Sequence, residues 1–453
     1  MQMSVLPSRS PHLTLLQFSA LIAAIAFLPA AVSARDNQHA KRRTDSGHRV
    51  TAELQGSVAT HDGLRLHLVT DLGNVVIHTE NSGSVNYHVH LETDASQKDS
   101  KDLLKSFAIS GRESSEGVYV HGQTFGKQVS GRLWVTIEVD VPRNYSLDIQ
   151  TGGGNIETED INGRVVFNTA GGNLIAGNIG GTSRLETSGG HISVKNVSGE
   201  LIAVTGGGHI TTGSVAGNGV LHTGGGHIRA GTIGGIAKLE TVGGNVTLQH
   251  AGTELVAQTG GGQIEVGEAA GIVRAKTGGG GIRVVKVSGP TNLETGGGSI
   301  YLTQVDGAVK ASTGAGAITA WFVSPPNRQS QACELQSTDG DIVVYIPRQL
   351  PITIDARIQR GDEHRVIVDP AFALRVSYDD NSNGPRSLRA EGSLNGGGEV
   401  LRLRTVEGNI RVALSDTAKQ GQIYKQQMEQ LQQKLQTQMR IFEQSLSSDG
   451  SQP

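Results

Sequence analysis

Cysteine is almost absent from this chain. Cys333 is the only one in 453 residues, so no internal disulfide can form and no cysteine-based metal site can be built. A lone thiol in an exported protein is read as buried and inert, with intermolecular pairing as the alternative. Aromatic residues are scarce too, at 4% against 36% for all hydrophobic residues. A core must then be made of Ile, Val, Leu and Ala, and few rings are left for a sugar-stacking surface. Trp134, Trp321 and Phe322 are read as core or cap. Charge of one sign is not in excess: 39 Lys and Arg face 42 Asp and Glu, a formal net charge of −3. That balance offers no electrostatic footprint for nucleic acid. Proline is rare, with 12 residues and no running G-X-Y triplet, which excludes collagen.

Long apolar runs are missing except near the start. Leu13 to Leu28 is apolar, follows Arg9 and His12, and leads to Val32-Ser33-Ala34. This pattern predicts a secretory signal peptide over residues 1–34, cleaved before Arg35. The alternative is an uncleaved anchor, but the run is short for a span, carries Gln17 and stops at Pro29. With no twin arginine and no lipobox cysteine, the expected product is exported and soluble: periplasmic, cell-surface or secreted. No integral span is expected after cleavage.

Glycine is abundant, and unevenly so. Of 63 glycines, 43 fall within residues 151–320. Aligned in rows of 18 from Thr151, that segment has Thr in the first column of ten successive rows, from Thr151 to Thr313. Gly fills the fourth column throughout, from Gly154 to Gly316, and Ile, Leu or Val the sixth, from Ile156 to Ile318. A fixed period without insertions is a stacking signature. Apolar residues alternate within each row, which predicts short strands with one buried face. Repeated glycine triplets exclude a helix, and 18 residues are too few for a βαβ unit.

The fold class is therefore all-β: a single-stranded, β-helix-like solenoid of regular 18-residue coils, stacked in parallel about 4.8 Å apart. A right-handed path is expected. The glycines should permit positive φ at corners and close approach between coils. The Thr column should form a hydroxyl ladder along one edge.

The flanks carry degenerate versions of the motif. Thr70-Asp71-Leu72-Gly73-Asn74-Val75 and Thr405-Val406-Glu407-Gly408-Asn409-Ile410 keep the spacing, while Thr338-Asp339-Gly340-Asp341-Ile342 reads as one residue shorter. Both flanks are expected to be irregular coils closing the ends, since an open solenoid exposes strand edges. Ser96 to Phe107 reads as a short helix with a serine cap. After Asp416 the period changes: Tyr424, Met428, Leu431, Leu435, Gln438, Phe442 and Leu446 form a narrow stripe on a Gln-rich amphipathic helix. Three fates stay open for it: a coiled coil, docking on the solenoid, or an exposed tail.

The predicted organisation is a signal peptide (1–34), a β-rich flank with a short helix (35–150), the regular solenoid (151–330), a second β flank (331–414), the amphipathic helix (415–447) and a disordered tail (448–453).

The strand Glu138-Val139-Asp140-Val141-Pro142, then Tyr145 to Ile149, lead into Thr-Gly-Gly-Gly-Asn-Ile. The train of Thr-x-x-Gly-x-Ile coils closes with Thr338 to Pro347, Ile352 to Ile358 and Thr405 to Val412. Together these features resemble the bacterial putative-adhesin family of exported β-solenoids, catalogued as a domain of unknown function. The resemblance covers roughly residues 50–414. It implies a non-catalytic, adhesin-like protein and carries over no site residues.

The chemistry that glycine-rich runs suggest is not supported. No G-x-x-x-x-G-K-[ST] loop occurs, and the turns lack the aspartates of calcium-binding rolls. The best ligand candidates are His191, His209 and His227, in the fifth column between Asn173 and Asn245. They could form a metal ladder, but an outward polar ladder continuous with the asparagines is the preferred reading. Glu186, Glu240 and Glu294 share a column three coils apart, roughly 14 Å, too far for paired glycosidase carboxylates. Glu157, Glu159 and Asp160 are read as solvated. No catalytic group and no cofactor are assigned.

The expected function is an extended rigid surface for adhesion or envelope organisation, binding an envelope or cell-surface protein or glycan. The alternatives are a polysaccharide-active β-helix enzyme and a scaffold that homo-oligomerises through the C-terminal helix.

Overall fold

The structure is a computed structural model that describes residues 49–95, 99–125, 132–323, 333–379, 385–415 and 417–449. The predicted signal peptide and residues 450–453 of the predicted tail lie outside them. Each of the first nine 18-residue rows folds as one coil with two short strands. In the row from Thr223, three glycines turn the chain into a front strand, Ile228–Ile233. Gly234 and Gly235 then turn it into a rear strand, Ile236–Thr241. Equivalent strands pair in parallel with an offset of 18, as in Thr205↔Thr223 and Ile210↔Ile228. On the rear sheet that offset holds from Thr151↔Thr169 to Thr295↔Thr313, and on the front sheet it slips by one at Val305↔Phe322. The result is the expected solenoid, with two parallel sheets back to back. Ten coils span roughly 48 Å at the strand spacing.

Between the sheets lies a thin aliphatic core. In coil 5, counted from Thr151, Ile228, Ala230, Ile233, Ala237 and Leu239 are all fully buried. The Thr column is buried as well, and its chemistry differs from the expected hydroxyl ladder. Thr223 Oγ1 donates to the Gly208 carbonyl of the preceding coil at 2.8 Å. It also accepts from the Gly226 N–H of its own turn at 3.1 Å. The hydroxyls thus bond to backbone rather than to each other, because Thr stands where two glycine turns would leave a carbonyl and an N–H stranded in the core. The fourth-column glycines serve close approach: a Cβ at Gly208 or Gly226 would overlap the carbonyl of the glycine one coil before. Positive φ at this column is confined to the first coil and the flanks, at Gly73, Gly154, Gly340 and Gly408.

The ends are interleaved rather than simply stacked. The coil made by Arg65–Thr70 and Asn74–Glu80 lies between coil 1 and the later segments Gly117–Thr124 and Leu133–Pro142. At the other end, Val400–Glu407 and Ile410–Leu414 lie between the coil of Cys333–Asp339 and Ile342–Ile346 and the earlier segments Ile352–Ile358 and Val366–Val368. Antiparallel strands finish both ends, with Arg49–Ala59 on Ser84–Asp94 and Arg375–Asp379 on Ser387–Leu394.

Two expectations are corrected here. Ser337, not Thr338, pairs with Thr313 and donates to the Gly316 carbonyl at 2.9 Å, so the closing motif has full length with Ser in the Thr column. The short helix α1 spans only Ser100–Lys105 and starts at Asp99 without a side-chain cap bond. Ser96 lies outside the described residues.

The second helix, α2, spans Thr417–Asp449 and folds back along the front sheet. Leu435 Cδ2 lies 3.3 Å from a Cβ position at Gly231, and Met428 Cε 3.3 Å from one at Gly267. Seven residues of helix advance about 10.5 Å, close to the two coils, about 9.6 Å, that separate those glycines. That match lets the stripe of Tyr424, Met428, Leu431 and Leu435 follow the coils. Gln420 Nε2 donates to the Thr303 carbonyl at 2.9 Å, and Thr303 Oγ1 to Gln427 Oε1 at 2.7 Å.

Candidate functional site

The front sheet presents two outward columns beside α2. The fifth column is a continuous acceptor ladder. Each backbone N–H donates to the side chain one coil earlier: Asn173 to Asn155 Oδ1, His191 to Asn173 Oδ1, His209 to His191 Nδ1, His227 to His209 Nδ1 and Asn245 to His227 Nδ1. Asn and His can replace one another in this column because each carries an acceptor at the same distance from its Cβ.

An N–H can only donate, so Nδ1 is the bare nitrogen and the ring proton sits on Nε2. The rings stack at 4.9 Å between centroids, 21° apart for His191 and His209 and 16° for His209 and His227. A zinc ion needs convergent lone pairs at about 2.0–2.1 Å; this tautomer puts a proton on the only nitrogen left. Burial, then neighbouring His191, His227 and Arg229, push the His209 pKa down. Burial and Arg229 do the same at His227. Among the described residues no cluster of three His, Cys, Asp or Glu is placed to hold a metal.

Two residues beyond the ladder stands the seventh column: Arg229, Thr247, Glu265, Arg283 and Tyr301. Between it and α2 lies a cleft of about 570 Å³ whose walls include His227, Arg229, Gln249, Gln263, Gln430 and Lys434. A second cleft of about 260 Å³ continues it past Arg283 to Tyr301, sharing Gln263 and Glu265. Lys434 of α2 neutralises Glu265 at 2.7 Å. Tyr424 donates to Glu268; that bond holds the carboxylate below its usual range and pushes the tyrosine up to about 12. Arg229 is half-buried, and burial lowers its pKa. No carboxylate among the described residues pairs with it. Arg283 lies 5.7 Å from the centroid of the 39%-exposed Tyr301 ring. The sequence reading missed this groove. Its floor on the front sheet and its α2 wall meet only in the fold.

The other candidates serve structure. Glu240 pairs with Lys238 at 3.2 Å and His222 at 3.6 Å, Glu294 with Lys276 at 3.0 Å, and Glu186 with Arg184. All three stay on the rear face three coils apart. Glu159 and Asp160, read as solvated, tie coils together instead. Glu159 accepts from the Thr79 N–H at 3.0 Å and His78 at 3.2 Å, and Asp160 from the Asn178 N–H at 2.8 Å. Cys333 is fully buried, and burial raises its thiol pKa. Phe322 is core; Trp321 stacks on Tyr345 at 4.6 Å; Trp134 is 37% exposed beneath Arg49.

The span of the fold has a counterpart among known families. The model described as Toastrack DUF4097 matches residues 65–413. The chain belongs to this family. The Toastrack match begins with the interleaved first coil and stops one residue before the end of the last front strand, so α2 lies outside it. No curated protein matches the chain in sequence. Among solved structures it is similar to a putative cell adhesion protein from Clostridium sporogenes (8% identity, TM-score 0.16, covering 80% of this chain and 99% of that one). It is also similar to a putative adhesin from Parabacteroides distasonis (11%, TM-score 0.31, 60% and 97%) and one from Bacteroides fragilis (10%, TM-score 0.16, 80% and 97%). No helix among the described residues is long and apolar enough to cross a membrane.

Proposed function

We propose that this Toastrack protein is a non-catalytic, exported, adhesin-like solenoid that offers its long faces to an envelope or cell-surface component. The observation that carries this reading is the 18-residue register of the rear sheet, kept from Thr151 to Thr313. It fixes outward side chains in straight columns, as a rigid recognition surface requires. The column of Glu186, Glu240 and Glu294 supports the non-catalytic part, since each is paired to a cation and they stand three coils apart, beyond glycosidase spacing.

The test is cell fractionation with surface proteolysis, followed by attachment of the purified protein on beads to envelope preparations. Export and saturable attachment are expected, with no products released from a glycan panel. A protein that stays in the cytoplasm, or beads that attach to nothing, would sink the reading. Product release abolished by changing a named carboxylate would favour an enzyme instead.

A further inference from the structure

The groove beside α2 combines features that a purely structural seam does not need. Arg229 and Arg283 stand three coils apart in one column, about 14 Å, the scale of an oligosaccharide rather than a single sugar. Neither has a carboxylate partner among the described residues, although a half-buried guanidinium is costly without an anion. Between them the lining is amide-rich, with Gln249, Gln263 and Gln430 offering both donors and acceptors. The one carboxylate in the way, Glu265, is already held by Lys434. Tyr301 supplies an exposed ring at the far end.

We propose that this groove binds a linear anionic saccharide, its carboxylates on Arg229 and Arg283 and its hydroxyls on the amides between them. The proposal deepens the adhesin-like reading and rests on it. Guanidinium groups match carboxylates bidentately. The intervening amides suit hydroxyls, which donate and accept at once. An extended acidic peptide fits less well, because peptides gain affinity from the backbone of a sheet edge, and this groove lies on a sheet face. A nucleic acid strand would want a series of stacking rings, and the only rings among the described residues lining the groove are those of His227 and Tyr301, four coils apart. The wall contributed by α2 lies outside the family match, so the site belongs to this chain rather than to the fold.

The experiment is calorimetry on the full chain at low salt with oligogalacturonate, against a neutral maltodextrin of equal length and poly-glutamate. Oligogalacturonate binding is expected, with none for maltodextrin. Arg229→Gln and Arg283→Gln should each weaken it at least tenfold, on the scale of one lost charge-assisted bond. Lys434→Gln should weaken it several-fold by exposing the Glu265 charge. Arg184→Gln on the rear face should leave binding unchanged, and every variant should keep the parent's cooperative melt.

Three results overturn the proposal: no oligogalacturonate binding at millimolar concentration, unchanged affinity in the Arg229→Gln/Arg283→Gln double variant, or binding of poly-glutamate alone. A protein that attaches to envelope material but ignores oligogalacturonate overturns the groove only. One that attaches to nothing overturns the parent reading.

Discussion

The Thr223 hydroxyl and the Gly208 carbonyl, fifteen residues apart in sequence, meet at 2.8 Å across two adjacent coils. The same hydroxyl accepts from Gly226, so one buried group satisfies two glycine turns. Thr223→Val keeps the shape and strands both backbone groups. It should cost about 2 kcal/mol in chemical denaturation. Thr212 is equally buried, but its hydroxyl has no partner. Thr212→Val should stabilise by about 1 kcal/mol. Equal effects from the two substitutions would contradict this account of the Thr column.

Neighbouring glycines should respond differently to the same methyl group. A Cβ at Gly208 meets the Gly190 carbonyl, whereas one at Gly207 meets nothing within 4 Å. Gly208→Ala is expected to cost about 3 kcal/mol or prevent folding, as overpacking against backbone does. Gly207→Ala should stay within about 1 kcal/mol of the parent. Thermal melts of the pair decide the point.

Acid should loosen the front face at the histidines. Protonation of His209 or His227 removes the Nδ1 acceptor used by the next coil. Both pKa values are depressed in the fold, so the unfolded chain binds protons first. Their contribution is therefore complete above the unfolded value of about 6.5 and is lost as pH falls through the lower folded values. His209→Asn/His227→Asn supplies Oδ1 as the acceptor without a titrating ring. This variant should hold its melting temperature further into acid than the parent. Identical melting curves against pH for the two proteins would refute the role given to the ladder.

Docking of α2 depends on the glycine track. Leu435→Asp puts a charge where Leu435 Cδ2 now lies 3.3 Å from the Gly231 Cβ position, and leaves the solenoid backbone untouched. The helix should lift, with faster proteolysis between residues 417 and 437, while the solenoid keeps its β signal in circular dichroism. If the cleavage rate does not change, Leu435 does not anchor the helix.

The repeat was legible because it is local. A Thr, a Gly and an aliphatic residue return every 18 positions, and a strand that pairs with its own copy needs no other information to find its register. Ser337 was missed because the sequence favours the adjacent Thr338, and only pairing with Thr313 selects between them. The histidines were seen as a column, but their role as acceptors needed the neighbouring coil's N–H.

The amphipathic stripe of α2 was readable from its period, yet its three fates were equivalent on paper. Contacts across 117 to 169 residues, Gln420 to Thr303 and Lys434 to Glu265 among them, chose docking. The sequence by itself determined the stacked coils, the aliphatic core and the glycine corners, since these rest on alternation and steric size within one coil. The tertiary structure alone decided the interleaved ends, the seat of α2 and the groove beside it, because these join segments that share no period.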